Sequence, residues 1–185
     1  QSEGSGIVYG EAVHRQEFGI QKGTFWSPQG RYLAFYRMDE RMVTEYPIYV
    51  LDSMPAQPRN IRYPYAGATS HEVTVGIFDT QTGKKWYLNT GEPAEQYLTN
   101  ISWTPDDQYI LVAVLHRDQN HMWLRQYDVS TGELVKTLFE ETNDKWVEPE
   151  HSAEFVPGRK DQFVWQSERD GYNHLYLYDL QGQMI

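Results

Sequence analysis

The residues most able to take part in chemistry lie in one short segment, Gly10–Ile20, which carries the charged residues Glu11, Arg15 and Glu17 among apolar ones. The apolar positions are spaced so that the segment could form one or two helical turns. A carboxylate such as that of Glu17, presented in a partly dry cleft, would bind a cation more tightly than it would in water. The residues alone favour the alternative, a plain segment that connects two blades and in which Glu17 is solvated.

Histidines elsewhere in the chain do not form a recognisable metal-binding pattern. The pair His71-Glu72 is followed by Val, Thr and Val, so it lacks the second histidine of a zinc-binding helix. His116 and His121 flank a predicted turn with Asp118 and could share a metal, but a solvated turn is favoured. His174 is interpreted as a structural residue of a turn. We therefore predict no metal site.

The chain also lacks the signatures of common catalytic sites. It has no Gly-x-Ser-x-Gly motif to mark an activated serine. Neither Gly-x-x-x-x-Gly-Lys nor Gly-x-Gly-x-x-Gly occurs to bind phosphate groups. The absence of cysteine excludes disulfides and thiolate chemistry. The sequence therefore predicts no catalytic residue, no cofactor and no reaction that these residues perform alone.

Composition narrows the class of protein and its partners. Aromatic residues make up 15% of the chain, which favours β-structure. The formal net charge is −10 and no cluster of Lys and Arg offsets it, so nucleic acid is not expected as a partner. No run of 18 apolar residues occurs, and residues 1–6 lack a signal-peptide pattern. If the protein is exported, we expect its targeting segment to lie outside this chain.

A recurring turn indicates the framework that carries the segment Gly10–Ile20. The sequence around Asp79 returns around Asp128 and, in a shorter form, around Asp179, at separations of 49 and 51 residues. An aspartate that bonds to nearby backbone amides, followed by a glycine able to take positive φ, is typical of a hairpin. Each turn joins two β-like runs, which indicates a repeat of about fifty residues.

A second marker opens each repeat: Trp26-Ser27-Pro28, Trp103-Thr104-Pro105 and Phe155-Val156-Pro157. Each unit reads as four short strands, the sequence form of a propeller blade. We predict an all-β, partial β-propeller of about three four-stranded antiparallel blades, with one inserted arm and a short helical segment near the N-terminus. A β-sandwich is the alternative. The predicted bounds are 18–92 with an insertion at 40–66, then 97–141 and 150–185, all within a propeller-domain fragment spanning 1–185.

The order of several motifs resembles the N-terminal propeller region of the dipeptidyl peptidase IV family, especially its Bacteroidetes-type members, in the prolyl oligopeptidase clan of serine peptidases. The resemblance covers essentially the whole chain. It is carried by Val13–Ile20, Gly23–Pro28, Leu33–Asp39, Tyr63–Ala68, Asn100–Trp103 and Asp170–Tyr176.

The resemblance implies an enzyme of which this chain is a non-catalytic part. In that family an eight-bladed propeller caps an α/β-hydrolase domain that carries Ser, Asp and His, and the enzyme releases N-terminal dipeptides, usually after proline or alanine. We expect that hydrolase domain outside this chain, peptides with a free N-terminus as substrates, and a periplasmic, cell-surface or secreted location.

The resemblance also assigns a role within the segment Gly10–Ile20. Family members bind the substrate's α-ammonium with two adjacent glutamates on a short helix, and these positions fall on Gln16 and Glu17. Glu17 is then the ammonium ligand and Gln16 a neutral hydrogen-bond acceptor. Because one glutamate is replaced, a tripeptidyl or relaxed specificity stays open.

Two further features of the family bear on this chain. The stretch Met42–Tyr65 corresponds to the arm through which members dimerise, so a homodimer is expected. The family's Phe-Arg loop would lie near Trp146–Pro149, where no Phe-Arg pair stands, so we carry over no binding role. The alternatives are a propeller for protein or glycan binding without a peptidase domain, and an endopeptidase of the wider clan.

Overall fold

A computed structural model describes residues 5–185, so the predicted lack of a signal pattern at residues 1–6 falls partly outside the described residues. Its strands follow one another as β1 (Ile7–Tyr9), β2 (Thr24–Trp26), β3 (Tyr32–Asp39), β4 (Glu45–Val50), β5 (Gln57–Arg62), β6 (Glu72–Asp79), β7 (Lys85–Tyr87), β8 (Tyr97–Trp103), β9 (Tyr109–Leu115), β10 (His121–Asp128), β11 (Leu134–Thr142), β12 (Glu154–Phe155), β13 (Gln162–Ser167) and β14 (His174–Asp179). A single helical turn, His14–Gln16, lies between β1 and β2. Within residues 5–185 no helix is long and apolar enough to cross a membrane.

The strands form three antiparallel sheets that follow the repeat. The first sheet has the order β3-β6-β7, with β1 and β2 both pairing with β3. The second is a meander of β8, β9, β10 and β11, and the third joins β12, β13 and β14. In the third sheet an isolated antiparallel bridge pairs Tyr178 of β14 with Met184. The predicted all-β, partial propeller is confirmed.

The repeated aspartates hold the turns as the sequence predicts. Oδ1 of Asp79 accepts the backbone N–H of Gln81 at 2.8 Å, and Oδ1 of Asp128 accepts that of Ser130 at 2.8 Å. Oδ1 of Asp179 accepts the N–H of Gln181 at 2.9 Å. The three turns are therefore built by one local mechanism, an acidic side chain that satisfies backbone donors.

The arm forms a hairpin of its own. Strands β4 and β5 pair with each other, from Glu45 opposite Arg62 to Val50 opposite Gln57, and form a separate two-stranded sheet. Its base is closed by the Arg62 guanidinium, which donates to the backbone carbonyls of Glu40 and Val43 at 3.0 and 3.2 Å. The hairpin lies within the predicted insertion 40–66.

The core shows that consecutive sheets pack face to face. Side chains alternate between the two faces of a strand, and β9 buries both. Its residues Ile110 and Val112 join the apolar cluster that includes Val75 and Ile77 of the first sheet. Its residues Leu111 and Ala113 join a second cluster with side chains of the third sheet, Phe163 and Trp165. The second sheet is therefore packed between the other two.

Candidate functional site

The segment that carries Glu17 is a loop inserted into the first strand of the first sheet. Because β1 and β2 pair with successive parts of β3, the loop leaves and re-enters at one place. The N–H of Gly10 donates to the carbonyl of Tyr36 at 2.8 Å, and the N–H of Tyr36 donates to the carbonyl of Gly23 at 2.9 Å. We call residues 11–22 the site loop.

This insertion explains where the first sheet begins. The first sheet includes β1, Ile7–Tyr9, although the predicted first unit starts only at residue 18. The two ends of the loop approach so closely that a Cβ on Gly23 would lie 2.1 Å from the carbonyl oxygen of Glu11. Only glycine fits there, so Gly23 allows the loop to close.

The helical segment is a single turn of the opposite hand to an ordinary helix. His14, Arg15 and Gln16 have φ of +52°, +57° and +67°. Two hydrogen bonds close the turn: the N–H of Gln16 donates to the carbonyl of Val13 at 3.0 Å, and that of Glu17 to the carbonyl of His14 at 3.1 Å. Each left-handed residue costs about 1–2 kcal/mol. Packing must offset this cost, and such strain is concentrated at functional sites.

Buried residues lie at both ends of the turn, and the polar residues between them are exposed to solvent. Val13, His14 and Phe18 are buried, with exposed fractions of 1%, 3% and 6%. Between them Arg15, Gln16 and Glu17 are exposed. Within residues 5–185 the Glu17 carboxylate forms no ion pair. The two predicted site residues, Gln16 and Glu17, thus lie side by side at the exposed tip of the turn. Their side-chain oxygens could accept hydrogen bonds from a cationic ligand.

The residues that pin this turn come from distant parts of the chain. Nδ1 of His14 lies 3.0 Å from Nε2 of His71, and Nε2 of His14 accepts the N–H of Leu98 at 3.1 Å. The ring of Tyr97 lies 5.0 Å, centroid to centroid, from the rings of both His14 and Phe18. Sequence reasoning missed these contacts because partners 57 and 84 residues apart leave no local spacing signal.

Burial and neighbouring arginines lower the pKa values of the two histidines beneath the turn. The Arg15 guanidinium lies 4.6 Å from the ring centroid of Tyr63, at the base of the arm. Burial, with help from Arg117 and Arg15, lowers the pKa of His71 to about 4, against a small opposing effect of Glu95. Burial also lowers the pKa of His14 well below its usual value, and His71 and Arg117 add to this. Both rings are therefore neutral at neutral pH.

The other histidines considered in the sequence do not converge. Nε2 of His121 lies 2.8 Å from a carboxylate oxygen of Glu140, and Nδ1 of His116 lies 3.4 Å from one of Asp118. In the described part of the chain no group of three or more metal-ligating side chains comes together. His121, at the start of β10, thus pairs with Glu140 of the neighbouring strand β11, whereas His116 pairs with Asp118 in the turn between β9 and β10.

The loop Trp146–Pro149 lines a cavity of about 390 Å³ next to the third sheet. Arg169 and Glu141 also line this cavity and form an ion pair with 2.6 Å between their nitrogen and oxygen. Nothing in this arrangement restores the missing Phe-Arg pair, so the cavity adds no predicted ligand to the site at Glu17.

Comparison with known proteins gives the chain a family. Residues 1–185 match the family model described as the dipeptidyl peptidase IV N-terminal region. A Phaeosphaeria nodorum protein assigned the name dipeptidyl-aminopeptidase B is 32% identical over 93% of this chain, and one of the same name from Talaromyces marneffei is 30% identical over 90%. The chain spans only 22% and 21% of the lengths of these two proteins.

Solved structures show the same relationship. A Bacteroides ovatus protein assigned as a dipeptidyl aminopeptidase IV matches with a TM-score of 0.92 and 52% identity, over 98% of this chain and 26% of that one. Porphyromonas gingivalis dipeptidyl peptidase 4 matches with a TM-score of 0.85 and 26% identity, over 97% of this chain and 26% of that one. With its repeat, its sheets and its site loop, the chain belongs to the dipeptidyl peptidase IV N-terminal region family.

Proposed function

We propose that this chain is the substrate-gating propeller region of a serine-type dipeptidyl peptidase. The names of its relatives, dipeptidyl-aminopeptidase B and dipeptidyl peptidase 4, support this activity for the whole protein. The chain itself presents the exposed side chains of Gln16 and Glu17 and carries no nucleophile motif. In this proposal an α/β-hydrolase domain of the same protein supplies Ser, Asp and His, and the propeller selects which peptides reach them.

Glu17 is the proposed ligand of the substrate's α-ammonium, with Gln16 beside it. The observation that carries this assignment is the left-handed turn, which exposes both side chains while Val13, His14 and Phe18 are buried. An α-ammonium has three N–H donors, and a carboxylate plus an amide oxygen can accept them. Charge-assisted hydrogen bonds of this kind are roughly twice as strong as neutral ones.

A fixed ammonium site would explain release of dipeptides. When the terminus is held at one point, the distance from Glu17 to the nucleophile determines which peptide bond is cleaved. The pinned turn supports such a role because a mobile carboxylate could not define that distance. Proline or alanine before the cleaved bond is the expected preference by resemblance to the family.

Product analysis of the full-length protein tests this function. A peptide with a free N-terminus and proline at its second position should release its first two residues as a dipeptide, which mass spectrometry detects. The N-acetylated twin should remain intact. Internal cleavage of both peptides would instead identify an endopeptidase. Release of tripeptides would mean that the cleaved bond lies one residue further from the N-terminus. Binding without cleavage would favour a propeller that only binds its ligand.

We also propose that the arm contributes to a homodimer. Its tip exposes large apolar side chains, with exposed fractions of 72% for Tyr49, 81% for Leu51 and 98% for Met54. Apolar groups concentrated at the tip of a projecting hairpin are typical of an interaction surface. The double variant Tyr49→Ser, Met54→Ser should shift the full-length protein from dimer to monomer in light scattering. Val135→Ser, an exposed apolar residue away from the arm, is the matched control.

A further inference from the structure

Two histidine rings meet beneath the exposed turn of the site loop, and the proposed function does not use them. His14 and His71 are 3% and 4% exposed. Their rings stack with centroids 5.1 Å apart and an angle of 28° between planes. Nδ1 of His14 lies 3.0 Å from Nε2 of His71, and Nε2 of His14 lies 3.1 Å from the backbone nitrogen of Leu98. Both nitrogens of His14 are thus in contact with other parts of the chain.

These contacts determine where the protons lie. A backbone N–H can only donate, so Nε2 of His14 must be the unprotonated acceptor for Leu98. The proton of His14 is then on Nδ1, which donates to Nε2 of His71. His71 in turn carries its proton on Nδ1. One arrangement of protons satisfies the contacts, and it requires both rings to be neutral.

The two partners of His14 belong to different elements. Leu98 lies in β8 of the second sheet, whereas His71 directly precedes β6, where the chain returns from the arm. Tyr97 adds an edge-on contact with His14, and its hydroxyl accepts a hydrogen bond from Arg117. His14 therefore connects the site loop to a neighbouring blade and to the base of the arm.

One backbone hydrogen bond connects His14 to Glu17. The carbonyl of His14 accepts the N–H of Glu17 at 3.1 Å, which closes the turn. His14 itself has φ of +52°, a conformation that a non-glycine residue keeps only when its surroundings hold it. A side chain fixed through both ring nitrogens provides that restraint at the first residue of the turn.

We propose that His14, oriented by His71, is a positioning residue that holds Glu17 where it meets the α-ammonium of a peptide substrate. The proposal rests on the proposed role of Glu17. His14 is buried beneath the exposed tip, so it acts through the backbone of the turn and not through contact with the ligand. It determines how strongly the site prefers peptides with a free, charged N-terminus.

The test compares two substrates on the full-length protein: an X-Pro anilide with a free α-amino group and its des-amino analogue. His14→Phe keeps a flat aromatic ring, slightly larger than the imidazole, and removes both hydrogen bonds. It should raise KM for the amino substrate about tenfold with little change in kcat, and leave kcat/KM for the analogue unchanged. His14→Gln, whose side-chain oxygen can accept the Leu98 N–H, should recover part of the loss. His174→Phe, at an exposed histidine, is the matched control and should resemble wild type.

Two comparisons separate this proposal from the one on which it rests. In the double variant His14→Phe, Glu17→Gln, the loss should not exceed that of Glu17→Gln alone, because His14 acts through Glu17. Equal losses for both substrates, or additive losses in the double variant, would overturn the positioning role even if Glu17→Gln alone is selective. If Glu17→Gln itself does not distinguish the two substrates, both proposals fail.

A second variant keeps the test valid if His14→Phe does not fold. His71→Leu leaves the bond from Leu98 to His14 in place and removes only the acceptor that orients the ring. We expect the same selective rise in KM for the amino substrate, smaller than for His14→Phe. A folded His71→Leu protein with wild-type KM values for both substrates would show that the histidine pair does not position Glu17.

Discussion

The backbone N–H of Leu98 donates a hydrogen bond to Nε2 of His14 across 3.1 Å, and so joins the second sheet to the site loop. The carbonyl of the same leucine accepts the hydroxyl of Tyr36 at 2.9 Å. Tyr36 is also bonded to Gly10 and Gly23, the two residues that flank the site loop. The position of Glu17 therefore depends on how the first two sheets pack, and not on the loop alone.

The hydroxyl of Tyr36 should contribute measurably to stability. Tyr36→Phe leaves the buried carbonyl of Leu98 without this donor, so the free energy of unfolding should fall by about 1–2 kcal/mol. Denaturant titration of the full-length protein, followed by tryptophan fluorescence, measures the change. The control Tyr172→Phe removes an exposed hydroxyl in the turn before β14, away from the arm, and should stay within about 0.5 kcal/mol of wild type. Equal losses for the two variants would contradict a role for Tyr36 in joining the sheets.

Two glycines with similar φ separate the effect of backbone conformation from that of close packing. Gly19 has φ of +68°, and a Cβ there would lie 2.0 Å from the carbonyl oxygen of Glu150. Gly30 has φ of +74°, and its Cβ would meet nothing within 4 Å. Gly30→Ala should destabilise the protein by about 1 kcal/mol through conformation alone. Gly19→Ala should cost at least about 1 kcal/mol more and lower activity.

The difference between the two alanine variants is the decisive quantity. Equal melting temperatures would show that the site loop is not packed against Glu150. A less stable Gly19→Ala protein with unchanged kcat/KM would show that this packing does not position the site.

Stability should depend on pH through the histidine pair. The pKa of His71 is lowered to about 4 and that of His14 is lowered as well, so the unfolded chain binds more protons between about pH 6.5 and 4. The stabilisation is complete above pH 6.5 and falls as the pH is lowered through this window. For His71 the loss reaches on the order of 3 kcal/mol. The charged or titratable groups around the pair are Arg15, Arg117, Glu95 and Tyr97.

A comparison of wild type with His71→Leu isolates this effect from the titration of carboxylates. The free energy of unfolding of both proteins is measured at pH 7 and at pH 4. The wild-type value should fall more steeply than that of the variant, since leucine cannot bind a proton. An equal fall for the two proteins would mean that the pKa of His71 is the same in the folded protein and in the unfolded chain.

The sheets could be predicted from the sequence because their determinants are local. The turn at Asp128 is formed by hydrogen bonds to residues two and three positions ahead, so its pattern repeats wherever a blade repeats. The arm could be placed for the same reason, since an insertion lengthens one repeat without changing its markers. The interruption of the first strand was not predicted, because β1 and β2 are each only three residues long.

The candidate site could be predicted only as a position along the chain. Gln16 and Glu17 were found by resemblance, and the exposed turn is where the structure places them. Its left-handed geometry opposes the intrinsic preference of His14, Arg15 and Gln16 for negative φ. Contacts with side chains far along the sequence override that preference, and no local pattern records them.

One kinetic comparison decides whether Glu17 binds the substrate's α-ammonium. The full-length protein and its Glu17→Gln variant are assayed with an X-Pro anilide and with its des-amino analogue, while Glu11→Gln, at an exposed carboxylate of the same loop, serves as the control. We predict that Glu17→Gln lowers kcat/KM for the amino substrate by roughly 2–4 kcal/mol of transition-state stabilisation and leaves the analogue almost unaffected. Equal losses for both substrates would show that Glu17 does not bind the α-ammonium.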